Sequence, residues 1–427
     1  MQLHSTSRYT CNLLGITIGL LATSITSAAI SEIYLFDPNH RIEDRFGTSV
    51  AIDGNTAIVG EPRHETANPG EAFVFDATTG NSQRIIESSP TVAHAEFGTA
   101  VAIQNNIIVS GAPKEFSGGF SSGGSAYIHN ATTGAQIHKL NPNGVAGGAN
   151  FGTSVDIFDR TVIVGAPLNT DSPPNNPHGA AYLFDAVSGG QIAKLTASDG
   201  DGFDHFGNAV SISGNTALVG AVRDENETGA AYLYNFSDLN NIGETKLLSD
   251  DIAANDKFGR SVAVSGSLAV IGANGDNSNT GAAYIFDIHT GNQLVKLTAD
   301  DGTAGDNFGW SVAIDGRSVI VGAPNNDDDG DSSGSAYFFD ISNPLDITQS
   351  KITSSNARAG DRFGVSVDID GTNAIVGAFR KNLVVYPEAG AAYIYDLTTI
   401  PEPTTAILFT LATFPLLSRK RTQTPSI

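Results

Sequence analysis

The 427-residue sequence predicts an all-β fold built from seven repeated units. Each unit is marked by the dipeptide Phe-Gly, which recurs every 50 to 55 residues, with the phenylalanine at Phe46, Phe97, Phe151, Phe206, Phe258, Phe308 and Phe363. Each unit also has four short apolar runs separated by Gly-, Asn- and Asp-rich turns, which is typical of β-hairpins. Between the two terminal segments, no stretch of about ten or more residues has helical periodicity. Seven such units indicate a seven-bladed β-propeller of four-stranded blades.

Composition excludes several classes of protein. The formal net charge is -22, which argues against a nucleic-acid partner because phosphate contacts need a basic surface. Binding to an anionic lipid surface is disfavoured for the same reason. The single cysteine, Cys11, excludes a disulfide framework and a thiolate metal cluster.

Residues 1–29 have the pattern of a secretory signal peptide. Arg8 precedes an apolar run at residues 13–22, and the small residues Ser27, Ala28 and Ala29 follow it. We therefore expect a protein that is secreted, or held in a bacterial cell envelope or extracellular matrix, with its propeller at residues 30–396.

Residues 397–427 have the pattern of a sorting tail. Pro401-Glu402-Pro403 is followed by an apolar stretch at residues 406–417 and by the basic residues 419–421. This arrangement resembles the PEP-CTERM sorting signal of bacterial envelope proteins, which implies an exosortase-type processing enzyme as a partner. The apolar stretch is shorter than the roughly 20 residues of a spanning helix. Only a transient membrane association is therefore expected.

The elements of one unit follow a constant order. A first strand comes after the Phe-Gly, and a tight turn such as Asp315-Gly316-Arg317 leads to a second strand that ends in Gly-Ala-Pro or a variant of it. A third strand often begins Gly-Ala-Ala-Tyr, as at residues 281–284, and a further turn leads to the fourth. Glycine allows close backbone approach, and Phe and Tyr supply apolar area between blades. Trp310, which directly follows a Phe-Gly, is predicted to lie in the core of its blade.

The two ends of the repeated region predict how the ring closes. The last unit has a third strand at residues 391–396 but no fourth, whereas an unassigned apolar run at residues 33–36 precedes the first unit. We predict that this N-terminal strand completes the last blade, since a propeller leaves no long edge unpaired.

Phe-Gly followed by Gly-Ala-Pro-type residues, seven times over residues 33–396, resembles the FG-GAP repeats of the integrin α-subunit head. The resemblance implies a seven-bladed propeller. The Asp/Asn-rich calcium loop that this family carries between the first and second strands is replaced by short turns in all seven units. Integrin-like calcium dependence and ligand recognition therefore do not follow from the resemblance.

An up-and-down blade places the loop between its second and third strands on the same face as the loop between blades. These are the long, variable segments, and they carry acid clusters at Asp199, Asp201, Asp204, Asp250, Asp251, Asp256, Asp300, Asp301 and Asp306. Loops on a rigid scaffold are where binding usually occurs. We therefore predict a non-catalytic recognition or adhesion propeller that binds a polysaccharide or protein through this acidic face. The alternative for the acids themselves is a solvated surface that keeps an exported protein in solution.

Two other functions remain open, a polysaccharide hydrolase or lyase and a passive structural protein of the matrix. The nine histidines form no ligand-spaced pair, and the one Gly-x-Ser-x-Gly match, at residues 119–123, has no helix after it. No catalytic residue is therefore predicted. Exposed aromatic side chains beside the acids would favour sugar binding, and the candidates are Phe116, Phe120, Phe203 and Tyr386.

One loop of the sixth unit is a candidate for a weak calcium site, the alternative being an unliganded, solvated turn. Asn325, Asp327, Asp329 and Asp331 place oxygens at alternate positions, as in the first half of an EF-type loop, although Ala336 stands where the closing Glu would be. The expected dissociation constant is on the order of 10⁻⁴ to 10⁻³ M.

Overall fold

The computed structural model describes residues 31–38, 43–63, 69–116, 123–143, 147–170, 177–343, 345–382 and 387–400. Seven four-stranded antiparallel sheets are arranged as the blades of a ring, so the predicted all-β, seven-bladed propeller is confirmed. The predicted signal peptide and the tail from residue 401 onward lie outside the described residues.

The strand bounds follow the seven units in order. Blade 1 contains β2 (Ser49–Asp53), β3 (Thr56–Glu61), β4 (Glu71–Asp76) and β5 (Ser82–Ile86). Blade 2 contains β6 (Val101–Gln104), β7 (Ile107–Ala112), β8 (Ser125–Asn130) and β9 (Gln136–Leu140). Blade 3 contains β10 (Ser154–Phe158), β11 (Thr161–Ala166), β12 (Ala180–Asp185) and β13 (Gln191–Leu195). Blade 4 contains β14 (Phe206–Ser213), β15 (Thr216–Ala221), β16 (Ala230–Asn235) and β17 (Gly243–Leu247).

The remaining blades repeat this order. Blade 5 contains β18 (Phe258–Ser265), β19 (Leu268–Ala273), β20 (Ala282–Asp287) and β21 (Gln293–Leu297). Blade 6 contains β22 (Ser311–Asp315), β23 (Ser318–Ala323), β24 (Ser335–Asp340) and β25 (Thr348–Ile352). Blade 7 contains β26 (Ser366–Asp370), β27 (Asn373–Ala378), β28 (Ala391–Asp396) and β1 (Glu32–Leu35). Short helical turns occur at α1 (Asp224–Glu227), α2 (Asp276–Asn279) and η1 (Leu397–Thr399).

The ring closes as the sequence predicts. β1 pairs antiparallel with β28, with Glu32 opposite Tyr395 and Leu35 opposite Ala392, and so becomes the outer strand of blade 7. Tyr395 also donates its hydroxyl hydrogen to Glu32, across a 3.0 Å distance. The two ends of the repeated region are therefore joined by a full strand pairing.

Burial increases from the outer strand toward the middle of each blade. In blade 4 the second strand, β15, is buried at every position after its first, because both of its faces pack against neighbouring blades. The outer strand β17 alternates between exposed and half-buried residues. The phenylalanine of each Phe-Gly packs edge-on against the aromatic side chain of the third strand, as Phe258 does on Tyr284 at 5.6 Å between ring centroids.

The two glycines of each repeat meet between blades. A Cβ atom on Gly377 would overlap the carbonyl oxygen of Gly47 in the next blade, and Gly60 has the same relation to Gly98. Ser366 Oγ donates to that Gly47 oxygen at 3.0 Å, and Ser49 Oγ donates to the oxygen of Gly98 at 2.8 Å. We call this row of backbone contacts the glycine seam. It explains why both motifs recur once per blade.

The two faces of the ring differ in their connections. The backbone N–H of Ala77 donates to Asn55 O, which joins the two hairpin turns of blade 1 on what we call the turn face. Lys114 N donates to Ala95 O, which joins a second-to-third-strand loop to an inter-blade loop on the opposite side, the loop face. Between neighbouring blades on the turn face, the last residue of a first strand accepts a hydrogen bond from the next turn. Asp370 accepts one from Gly54 N at 2.6 Å across the closure of the ring.

Candidate functional site

The acids predicted to form a binding surface are largely engaged within the protein. In each of blades 4, 5 and 6, one aspartate of the preceding inter-blade loop binds a lysine of the fourth strand and accepts a hydrogen bond from the tyrosine of the third strand. In blade 5, Asp251 lies 2.6 Å from Lys296 Nζ and 2.9 Å from the Tyr284 hydroxyl. Asp199 and Asp301 make the same two contacts in blades 4 and 6.

These contacts affect the charge state of the three aspartates. Burial alone would raise the pKa of Asp251, but the hydrogen bonds from Lys296 and Tyr284 outweigh it and lower the pKa below its usual range. The same balance lowers the pKa of Asp199 and of Asp301. All three therefore stay ionised and hold an inter-blade loop against its blade.

A second set of acids caps the inter-blade loops. Asp204 accepts a hydrogen bond from Asp201 N at 2.6 Å, and Asp256 and Asp306 accept from the backbone three residues earlier in the same way. These three side chains are buried. Of the nine predicted acids, Asp201, Asp250 and Asp300 are exposed and carry none of these loop-stabilising side-chain contacts. The expected acidic binding face is thus reduced to scattered exposed carboxylates.

The residues predicted to bind calcium lie on the loop face but do not converge. Asn325 donates from Nδ2 to Asn307 Oδ1 at 2.6 Å, whereas Asp327, Asp329 and Asp331 are exposed. Among the described residues, Asp327, Asp329 and Asp331 do not bring three ligand atoms within 4.8 Å of one another. The group of His, Cys, Asp or Glu side chains that does so is Asp37, Asp44 and Glu61. Calcium binding here stays a prediction, and calorimetric titration of the protein against an Asp327→Ala, Asp329→Ala variant tests it.

The group Asp37, Asp44 and Glu61 lies where blade 7 meets blade 1. All three side chains are buried, and each has further contacts within the protein. Sequence reasoning missed the group because its members lie on three separate elements. One sequence feature points to this group: Glu61 occupies the position of the alanine in Gly-Ala-Pro, where the next blade has Ala112.

The central channel contains two carboxylates that the sequence reading also missed. The first strands line a cavity of about 320 Å³, into which Asp156 and Asp368 project at positions where blades 1, 2, 5 and 6 have alanine. Asp368 accepts a hydrogen bond from Ile52 N at 2.8 Å, and Asp156 accepts one from Ile212 N at 2.8 Å. Their position deep among the inner strands raises the pKa of Asp156 to about 6 and that of Asp368 to about 7.

On the loop face the channel opens into a wider mouth. This mouth is a cavity of about 450 Å³, and the residue after each Phe-Gly forms its inner ring: Thr48, Thr99, Thr153, Asn208, Arg260, Trp310 and Val365. The expectation that Trp310 lies in a blade core is wrong. Its side chain is half-buried at the mouth, since Trp310 directly precedes the first strand of blade 6 and faces the axis. Arg260 stacks on it, with the guanidinium carbon 4.0 Å from the ring centroid.

Four further arginines surround the part of the mouth formed by blades 7 and 1. Arg362 and Arg45 directly precede their Phe-Gly dipeptides, whereas Arg380 and Arg63 follow the second strands. The ring of Phe379 lies 5.7 Å from the Arg45 guanidinium and 5.5 Å from that of Arg380. Burial lowers the pKa of Arg45, and the charges of Arg63 and Arg380 lower it further. We call these four residues the arginine cluster.

The candidate sugar-binding aromatics are distributed differently. Phe116 and Phe203 are exposed, at 60% and 56% of their surface, as a binding role requires. Phe120, Tyr386 and the serine of the Gly-x-Ser-x-Gly match lie outside the described residues. The aromatic side chains that line the mouth are instead Trp310 and Phe379.

Comparison with known proteins identifies the repeats. A family model described as FG-GAP repeat matches residues 33–75, 135–184, 190–234, 243–286, 292–339 and 347–395. Each match begins in the outer strand of one blade or one residue before it and ends in the third strand of the next, and the intervening residues 76–134 contain β5 to β8. No curated protein matches the chain. No helix in the described part of the chain is long and apolar enough to cross a membrane. Because the matches cover more than half of the chain and follow the strand order of its blades, the protein belongs to the FG-GAP repeat family.

Proposed function

We propose that the protein is an exported, non-catalytic recognition or adhesion module of a bacterial cell envelope or extracellular matrix. It binds a polysaccharide or protein partner through its loop face. The observation that carries the proposal is the mouth of the channel, a cavity of about 450 Å³ lined by residues of all seven blades. A concave cavity on a rigid scaffold is the usual form of a ligand site, and polar or charged side chains line most of this one.

The contacts of the inter-blade loops support this role. The Lys–Asp–Tyr contacts of blades 4 to 6 and the buried aspartates before Phe-Gly fix these loops without a ligand. A site whose walls are ordered in advance loses less conformational entropy on binding. Six of the nine acids that the sequence predicts to face a ligand thus also hold the loops around the mouth.

Export rests on the two ends of the chain and on the family. Proteins with FG-GAP repeats are typically extracellular or cell-surface proteins. The signal-peptide pattern and the PEP-CTERM-like tail support the same location, with an exosortase-type enzyme as a processing partner. Detection of the protein by mass spectrometry in the cell, envelope and medium fractions tests this part, and recovery from the cytoplasm alone would contradict it.

The binding role is tested by capture experiments with the purified protein. The protein is screened on a glycan array and in pull-downs from extracellular matrix, with and without calcium. An Arg63→Glu variant on the loop face is compared with Arg317→Glu, which makes the same charge change on the turn face. We expect capture that Arg63→Glu weakens and Arg317→Glu leaves unchanged. Absence of any partner would instead support a passive structural role in the matrix.

The competing function is a polysaccharide hydrolase or lyase, and one observation favours it. Asp156 and Asp368 share the channel and both have raised pKa values; a raised pKa is what the general acid of sugar hydrolysis requires, while the second carboxyl must act in its ionised form. Both also accept backbone hydrogen bonds from a neighbouring blade, which is a sufficient structural reason for their presence. Product release from a panel of polysaccharides that is lost in Asp368→Asn would replace the non-catalytic proposal.

A further inference from the structure

We propose that the mouth of the channel binds an anionic sugar unit, bearing a carboxylate or a sulfate group, at the end of a polysaccharide chain. This inference rests on the proposed recognition role and names the class of its ligand. The geometry that points to it is the arginine cluster, of which Arg45, Arg63 and Arg362 line the mouth and Arg380 lies beside Phe379, together with Trp310 and Arg260 on the same mouth.

The first argument concerns charge. In a chain with a formal net charge of -22, five arginines lie at or beside this one opening, on a face whose outer loops are acidic. Neighbouring Arg63 and Arg380 lower the pKa of Arg45, and Arg380 lowers that of Arg362, which shows that the cluster is close enough for mutual repulsion. Arginine stays protonated in proteins, so the cluster cannot reduce its repulsion by losing a proton. A bound anion reduces it instead.

The second argument concerns hydrogen-bond donors. The Nε atoms of Arg45 and Arg380 are buried and have no hydrogen-bond partner within the described residues. Glu388 Oε1 forms an ion pair with Arg380 but lies 3.7 Å from its Nε, which is too long for a hydrogen bond. Glu388 and Glu43 partly offset the charge of the cluster, and Glu96 also lines the mouth. Guanidinium groups with free donors match the planar oxygens of a carboxylate, and they also bind sulfate.

The third argument concerns shape. The cavity of about 450 Å³ has the size of a small-ligand site and places Trp310 and Phe379 beside the cations. Aromatic side chains give a flat apolar wall on which a sugar ring can pack while its acidic group meets the arginines. An inorganic anion would fill only a fraction of this volume.

The exposed acids decide how the ligand enters. Asp201, Asp250 and Asp300 lie on loops around the mouth, and they repel a long polyanion lying flat across the face. The anionic unit therefore enters end-on, from the end of a chain. The same repulsion disfavours nucleic acids.

The proposal is tested by calorimetric titration of the purified protein at low salt. The probes are trigalacturonate and a sulfated trisaccharide, with neutral trigalactose, inorganic sulfate and a Glu-rich peptide as comparisons. We expect both acidic sugars to bind, trigalactose to bind at least tenfold more weakly, and affinity to fall as salt is added. Long polygalacturonate should bind no more tightly per chain end than the trimer.

The variants localise the site. Arg63→Gln and Arg362→Gln should each weaken binding of the acidic sugars about tenfold or more, since both line the mouth and a charged hydrogen bond contributes about 1.5–3 kcal/mol. Arg317→Gln, an exposed arginine on the turn face, removes the same charge and should have no effect. Thermal melting of each variant confirms that it is folded.

Several outcomes overturn the proposal. Equal affinity for trigalactose and the acidic sugars would show that the ligand's negative charge is not recognised. Equal affinity for inorganic sulfate and the acidic sugars would show that the mouth binds an anion but does not recognise a sugar ring. Preference for the Glu-rich peptide would assign the mouth to a protein partner. Failure here is distinct from failure of the proposed function: capture of a neutral glycan or a protein that the arginine variants leave unchanged would retain the recognition role and refute this inference.

Discussion

Asp368, on the inner wall of this propeller, makes the stability of the protein depend on pH. Its carboxyl replaces the alanine of most other blades and accepts a hydrogen bond from Ile52 N, across the closure of the ring. Burial raises the pKa of this group to about 7. The folded protein thus keeps a proton on Asp368 up to about pH 7, whereas an unfolded aspartate releases its proton near pH 4. Stability contributed by this group therefore falls as pH rises from about 4 to 7.

Replacing Asp368 by asparagine should remove this pH dependence while keeping an acceptor for Ile52 N. We expect Asp368→Asn to be more stable than the parent protein at pH 8, by about 1 to 3 kcal/mol, because each pKa unit corresponds to about 1.4 kcal/mol. At pH 4 the two proteins should differ little. Chemical denaturation at both pH values measures this, and a stability difference that does not change with pH would contradict the assignment.

Tyr284 represents the repeated contact between a third-strand tyrosine and an inter-blade aspartate. Removing its hydroxyl in Tyr284→Phe should cost about 1 kcal/mol of unfolding free energy, the usual contribution of one hydrogen bond. In an Asp251→Ala background the same change should cost much less, because the acceptor is already gone. A double-mutant cycle from denaturation curves gives the coupling, and additive effects would show that the contact contributes nothing.

At the scale of the strand and its turns, much could be predicted from the sequence. Each strand could be predicted from a local pattern, since turn glycines and alternating apolar residues specify a hairpin within one unit. The glycine seam and the mouth could not be predicted in this way, because both join residues of different blades. Trp310 shows the limit: its place after Phe-Gly was visible, but the direction of its side chain depends on the axis of the assembled ring. The intramolecular contacts of Asp199, Asp251 and Asp301 were also not predictable from local patterns, since their lysine and tyrosine partners lie 33 to 50 residues away.

The glycine seam predicts a contrast between two glycines of blade 7. Gly377→Ala would drive a Cβ atom into the carbonyl oxygen of Gly47, so we expect a loss of several kcal/mol or failure to fold. Gly371 lies in a turn with φ of 55° and open space around it. Gly371→Ala should cost only about 1–2 kcal/mol, from the left-handed backbone. Melting temperatures measure both, and equal losses would argue against the seam.

For the molecule as a whole, closure of the ring depends on β1. The same strand completes blade 7 and joins the start of the repeated region to its end. The fold class and this closure were both predictable. Seven repeats indicate seven blades, and because the last unit lacks a fourth strand, only pairing with the N-terminal strand leaves no open edge. The mouth of the channel was not predictable, since it exists only where all seven blades meet.

Deleting residues 31–36 should open the ring. We expect a lower melting temperature, and aggregation through the exposed edge of β28. Adding the same strand after residue 400, through a short Gly/Ser turn, should restore stability, since each other blade already connects its third strand to its fourth by a turn. An unchanged melting temperature for the deletion would refute this closure.

The central claim is that partners bind at the mouth of the channel on the loop face. Amide hydrogen exchange of the purified protein, with and without trigalacturonate, tests it most directly. The account predicts slower exchange at the Phe-Gly segments of blades 1, 6 and 7 and in the described residues of their second-to-third-strand loops, with no change in the turns of the opposite face. Protection confined to the turn face, or no protection anywhere, would contradict it.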